Sequence, residues 1–593
     1  MNMEITKLQI KMLSCCFVAG GLMLAGCSTD DSIDVGEVDT TIGVKLDNFS
    51  VPLGNTEDIT LGDVLDLKED GCISTTASGD YEFFKKGDNV EPARPQVDKI
   101  NVSKQTSTDM NPVIGPSTKP DGFDLLPVGT TLTGTAGAIT TELNTFNYNA
   151  DKPDDVVELS TATVDGTVHL NISFNKNLKA FISKFNSFDI EFPAYMTLEN
   201  PTQGTLVGNK LSFGEVPTNS TINCTVKMKS LAFQELNAAN KLVIEGGKIT
   251  MLGDVKVEVT YPDLVKTDNT SDITKMQILS TTSISTVQIT SATGKFDPKI
   301  DLDDVGDIKI DKKDVPDFLD DPEVNINLYD PQITLTIGSD VDLDAIIDGT
   351  LTSTFNNGTS SVVSIPNILI PRKTNSKILI CRQPKTQPYE DYTQVYVVSN
   401  LSDLITKIPE KITFKANARA DKNAPGTIEL GHKYEISTGY SFKAPLSLDN
   451  GSTIVYDDKV DGFYEDINDN DVALDGKSEL TITGKVTNKT PLNLDLTPTA
   501  IDVKGNVISS IKLTSKKAIA SNLNGGSPTN IEIVLEKAAN VDLKQVKFDG
   551  ITFKVKATSA DATTLNKTKH TLKIEGLKVQ INSEISINPD KKD

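Results

Sequence analysis

Three histidines, 82 acidic side chains and six cysteines are the groups from which this 593-residue chain could build chemistry. His169, His432 and His570 lie far apart in sequence, and His169 falls on the polar side of an alternating segment. A serine or cysteine triad needs a histidine beside its nucleophile and an orienting acid. No Gly-x-Ser-x-Gly, His-Glu-x-x-His or phosphate-loop pattern occurs. The histidines therefore read as surface residues without a catalytic role. A glycosidase needs two carboxylates about 5–10 Å apart across a sugar cleft. Tryptophan is absent and aromatics total 6%, so little is available to stack on pyranose rings. The expectation is a protein with no catalytic residues, no cofactor and no enzymatic activity.

One loop raises the question of calcium. In Asp466-Ile467-Asn468-Asp469-Asn470-Asp471, the residues Asp466, Asn468 and Asn470 occupy ligand positions of an EF-hand-like series. Asp471 then stands where the turn needs glycine, and Lys477 where the bidentate glutamate belongs. A solvated acidic loop fits better than a metal site. A second acidic run, Asp301 to Asp321, is interrupted by Lys309, Lys312 and Lys313 and reads as an exposed connector.

Cys27 has a different setting. Lys7 and Lys11 supply a positive stretch, Met12 to Leu24 an apolar one, and Leu24-Ala25-Gly26 lead with small residues into the cysteine. The apolar stretch is short of the roughly 20 residues that span a bilayer, so it reads as a removable secretory signal. Its ending resembles a bacterial lipobox. That resemblance implies cleavage before Cys27, a diacylglycerol on its thiol and an acylated amine, an anchor of several chains. The remaining Cys72, Cys224 and Cys381 are too widely spaced for a metal-ligand or disulfide framework and read as small buried hydrophobes.

The formal net charge is −24, and Arg94, Arg372, Arg382 and Arg419 are the only arginines. So acidic a chain, without a basic stripe, repels phosphate backbones, and nucleic acid is excluded as a partner. The apolar content, 37%, is that of folded domains, and the length calls for several of them.

Beyond the tether the chain alternates. Val168, Leu170, Ile172 and Phe174 share one parity, as do Leu480 and Ile482, Ile551, Phe553 and Val555, and Leu577, Val579 and Ile581. Turn signals recur at Asn356-Asn357-Gly358, Asp449-Asn450-Gly451, Asn524-Gly525-Gly526 and Asp549-Gly550. The fold class is all-β: tandem antiparallel, immunoglobulin-like β-sandwich modules with a few short helices. One short helix is expected over Leu61–Leu67. Two others look alike. Asn177 is expected to cap a turn carrying a stripe of Leu178, Phe181, Ile182 and Phe185, and Asn400 precedes Leu401, Leu404, Ile405 and Ile408. Each is followed by a strand, which points to an internal duplication. The expected divisions are a signal at 1–26, an acidic tether at 27–44, an irregular β module at 45–155, and repeats at 156–385 and 386–593.

Further resemblances bear on location and fold. The acidic residues after Cys27 resemble the export signal of Bacteroidetes surface lipoproteins, and Asp31-Ser32-Ile33 and Asp39-Thr40-Thr41 resemble O-glycosylation sites of that phylum. The whole chain looks like a surface lipoprotein of that group. This implies an outer-membrane lipoprotein facing the exterior, with the membrane as a partner through the lipid on Cys27. Val486-Thr487-Asn488-Lys489-Thr490-Pro491-Leu492-Asn493-Leu494-Asp495-Leu496 resembles the water-stress, late-embryogenesis-type β-sandwich, which carries no catalytic residues. The paired helix-and-strand units are similar in outline to bilobed tubular lipid-binding folds of the bactericidal/permeability-increasing type. The leading expectation is a tethered, non-enzymatic binding or scaffold protein for a protein or glycan partner. The alternatives are a carrier in which the two apolar stripes line a lipid groove, and a fimbrial or adhesin subunit.

Overall fold

A computed structural model of the chain describes residues 42–587, apart from 66–70, 103–107, 303–304, 317–318, 320, 390, 466–471 and 516–517. Cys27, most of the acidic tether and the calcium candidates Asp466, Asn468 and Asn470 lie outside the described residues.

The alternating segments are strands. In Val156–Phe174 the side chains of Val168, Leu170, Ile172 and Phe174 are buried, while His169 and Asn171 face outward. β-branched and aromatic residues at every second place put one face into a core and leave the other to water. Repeated along the chain, this builds an all-β protein of stacked sheets joined by short helical turns. Described strand pairs are antiparallel, except that Asn375–Cys381 and Gln394–Val397 run parallel.

The modules are nested rather than strictly consecutive. The chain starts on one sandwich, whose strands we label β1 (Ile42–Gly54) and β2 (Ile59–Thr60), followed by a helical turn α1 (Leu61–Val64). It next adds Ile73–Thr75 and Tyr81–Lys86 to the edge of a second sandwich. A third sandwich follows, built around Gly137–Asp151, Val156–Phe174, Ile222–Ala232 and Lys248–Tyr261. The chain then returns through the second, from Asp307–Lys309 to Ile436–Pro445. It finishes on the first with β3 (Thr453–Val460), β4 (Val472–Asn488), β5 (Leu492–Asp502), β6 (Ile511–Ser515), β7 (Thr529–Lys537), β8 (Phe548–Ser559) and β9 (Thr571–Ile587). There β1 pairs with β9, from Ile42↔Ile587 to Gly54↔Leu577. Strand pairing thus crosses the boundaries expected near 155 and 385. The segment read as an irregular N-terminal module contributes strands to all three sandwiches.

Both apolar stripes sit where the chain passes from one sheet to the other. Asn175, not Asn177, caps the first turn, its Oδ1 accepting from the Leu178 N–H at 2.8 Å. Asn177 instead accepts from the Asp272 N–H. Leu178, Phe181, Ile182 and Phe185 are buried, as are Leu401, Leu404, Ile405 and Ile408 in the second turn. All belong to one continuous core shared by the second and third sandwiches. They fill that core and line no groove. Two other expectations are corrected. Asp549-Gly550 lies inside β8, because Lys547, with φ 50°, takes the turn. The described part of the acidic run is no exposed connector, since Val305, Ile308 and Ile310 are buried and Asp307–Lys309 pairs with Lys411–Ala420.

The first sandwich has its own core. Sheet order β1-β9-β4-β7-β6, with β2 also on β9, faces a three-stranded sheet β3-β8-β5. The crossing from β4 to β5 turns on Asn488, fully buried. Its Oδ1 accepts from the Thr490 N–H (3.0 Å) and hydroxyl (2.7 Å), and its Nδ2 donates to the Leu492 carbonyl at 2.7 Å. Asn488→Ala would leave the buried Thr490 N–H without its acceptor and the Leu492 carbonyl with only the longer contact from the Thr490 hydroxyl at 3.4 Å. It is expected to cost about 2–4 kcal/mol, read as a lower denaturant midpoint for this sandwich; an unchanged midpoint would refute the role of the corner.

Candidate functional site

The two sheets of the first sandwich share a core at one end. Leu480, Ile533, Leu535, Val579 and Ile581 close that end as a separate core. Toward the other end Leu61, Ile454, Leu492, Ala557 and Leu565 already belong to the larger core. Between the two cores lies a cavity of about 410 Å³. That falls within the roughly 300–1,000 Å³ of small-molecule sites.

Strand periodicity places its walls. On the three-stranded sheet, Leu494, Leu496, Phe553 and Val555 face inward, held in register by Leu494↔Ala557 and Leu496↔Val555. Ile482, Val486, Ile531 and Ile574 face them, aligned by Ile482↔Val579 and Val486↔Ile574. A register shift in the β4–β9 ladder falls between Thr483 and Lys485. Such a bulge bends a strand and sharpens its twist, and this one stands where packed core gives way to open space. Leu494, Leu496, Phe553 and Val555 are consequently only half-buried, although their parity is that of core residues.

The lining is almost wholly hydrocarbon. Among the described residues no charged side chain lines it, and hydroxyls come from Tyr456, Thr490 and Ser515. The Thr490 hydroxyl is already bonded to Asn488. The arrangement suits an apolar molecule filling the space.

One wall hangs from a loop. Leu61, Val64 and Leu65, in and just after α1, line the cavity, and the turn is closed by a capping box between Thr60 and Asp63. The Leu61 N–H donates to the His570 carbonyl (3.0 Å) and the Gly62 N–H to the Lys567 carbonyl (2.9 Å). Gly62 has no room for a Cβ, which would stand 2.7 Å from Lys567 Cγ. The loop is closed internally by the Asn566 N–H, donating to His570 Nδ1 at 3.0 Å. The Asn566 side chain reaches the Ser78 carbonyl and Asp80.

His570 is therefore buried, contrary to the expectation of a surface residue, whereas His169 and His432 are exposed. The three are not brought together. The leucine and Ile-Phe-Val alternations that line the cavity were visible as strands, but nothing in their order says that the opposite sheet stands back. Cys72, Cys224 and Cys381 are buried free thiols. Burial pushes Cys72 and Cys381 up to about 11.

No protein-family model matches the sequence, and no curated protein matches it. Among solved structures the chain is similar to a protein from Parabacteroides distasonis described as secreted, with 17% identity, covering 48% of this chain and 89% of that one, at a TM-score of 0.35. It is also matched to a triple-jelly-roll turret protein of an archaeal virus, with 11% identity over 82% of this chain and 91% of that one, at a TM-score of 0.12. The sheets described above rest on their own strand pairing.

Thiols so placed resist attack, because the thiolate is the reactive form. Iodoacetamide at mildly alkaline pH is expected to leave Cys72 and Cys381 unmodified in the native protein and to label both in denaturant. Rapid native labelling, read by peptide mass spectrometry, would contradict their burial.

Proposed function

We propose that this is an exported, lipid-anchored envelope protein, without enzymatic activity, that holds the hydrocarbon chain of a lipid inside its first sandwich. The cavity of about 410 Å³, whose described lining is uncharged, carries the reading. Its aliphatic walls suit an acyl chain, at about 0.8 kcal/mol for each methylene removed from water, with the polar head left at the opening. The anchor is supported by Leu24-Ala25-Gly26-Cys27, and the acidic residues behind it support the outer face of the outer membrane. The stretch from Cys27 to Ile42 reaches at most about 50 Å when extended. A lipid on Cys27 would thus keep the cavity-bearing sandwich close to the bilayer. The other two sandwiches, close-packed around a continuous core, would serve as the binding or scaffold stack presented to a protein or glycan partner.

Two measurements test this. Protein purified without detergent should release lipid on solvent extraction and enhance the fluorescence of N-phenyl-1-naphthylamine. Leu494→Phe with Val555→Phe, which narrows the space, should weaken that binding about tenfold or more while leaving thermal stability equal or higher by about 1–2 kcal/mol. Absence of both lipid and probe binding would overturn the ligand reading. Separately, radiolabelled palmitate should mark the wild-type protein in cells and not Cys27→Ala; equal labelling would overturn the anchor.

A further inference from the structure

His570 ties the cavity wall to a group that titrates. The residue is 4% exposed, and Nδ1 accepts the Asn566 N–H at 3.0 Å. That bond requires a lone pair on Nδ1, which exists only in the neutral imidazole. The carbonyl of the same residue holds the Leu61 N–H, and that of Lys567 holds the Gly62 N–H. Leu565 and Leu572, flanking the loop on either side, line the cavity together with Leu61, Val64 and Leu65. The ring thus closes the loop from which one whole wall is suspended.

We propose that His570 is an acid-release switch: a proton taken from solvent onto Nδ1 sets two donors face to face, opens the Asn566–His570 loop and loosens α1, so that the bound chain leaves the cavity. The switch rests on the reading that the cavity holds an apolar ligand.

The charges around the ring fit this role. From the 76–80 turn comes Asp80, which favours the cation, and from the loop itself Lys569, which opposes it. On α1 the Asp63 carboxylate is engaged by the Thr60 N–H and hydroxyl. Lys567 packs its chain along Gly62. Burial is the largest influence and holds the imidazole below its ordinary 6.5. Asp80 is itself held below the ordinary carboxylate range by bonds from Ser78 and Asn566. The sign follows: this contribution to wall stability is complete above pH 6.5, the unfolded-state value, and is lost as the pH falls through the lower value of the folded protein.

The test uses the full chain and N-phenyl-1-naphthylamine. Wild-type affinity is expected to fall about tenfold or more between about pH 7.5 and about pH 5. His570→Asn, which puts an amide oxygen near the place of Nδ1 and cannot titrate, should bind equally at both. Wild-type affinity independent of pH, or a full pH dependence retained in folded His570→Asn, would overturn the switch. Hydrogen exchange on the wild-type protein gives a second readout that needs no variant and no ligand. After correction for the chemical rate, the Leu61 and Gly62 amides should lose protection on acidification while those of Val168 and Leu170 keep theirs. Unchanged protection at Leu61 and Gly62 would also overturn the switch. Failure to bind the probe even at the higher pH would sink the ligand reading, while the exchange result would still decide whether the wall loosens.

Discussion

The pairing of the first described strand with the last governs the architecture. Once Ile42–Gly54 lies antiparallel to Thr571–Ile587, everything between must leave the first sandwich and return to it. The nested order of the three sandwiches follows directly, as does the contribution of residues 42–151 to all of them. The cost is entropic. A closure more than 500 residues apart in sequence has to be met by contacts that form late. The ladder is long, and its two shifts of register give the edge strand a bend that a flat ribbon would lack.

The same sandwich carries the feature with a chemical consequence. Its sheets are of unequal width, three strands against a wider partner, and a cavity lies between the separate core at one end and the larger core at the other. In the third sandwich the facing sheets pack around clusters such as Phe174, Phe185 and Phe188, whose ring centroids lie 5.3–6.0 Å apart. Aromatic bulk fills space that leucine and isoleucine on splayed sheets leave open. Apolar space of that size attracts hydrocarbon and not water, because a buried water needs polar partners.

Polar groups act mainly as fasteners. Asn488 turns one sheet into the other, and Asn566 joins the β9 loop to the 76–80 turn. Arg372 grips Asp344 through Nε and a terminal nitrogen. Lys266, almost fully buried, donates to the carbonyls of Phe123, Asp124 and Leu126. Such groups repay their burial only when every donor is matched, which gives these chain crossings a single geometry.

Alternation alone determined the strands. Val168 to Phe174, Ile551 to Val555 and Leu577 to Ile581 are inward or outward by parity, and parity is a local property of extended backbone. Turn chemistry was equally local: Gly358, with φ +78°, closes the hairpin that Asn356-Asn357-Gly358 announced. Pairing was not local. Which strand lies beside β1, which asparagine caps the first helical turn, and whether an apolar stripe meets a core or a void depend on contacts between residues hundreds of places apart. The cavity belongs to this second kind. Leu494 and Val555 carry the same parity signal as any core residue, and only the bend in β4 and the distance to the facing sheet leave them lining open space. The burial of His570 has the same origin, since its environment is assembled from α1, the 76–80 turn and its own loop, which meet only in the folded chain.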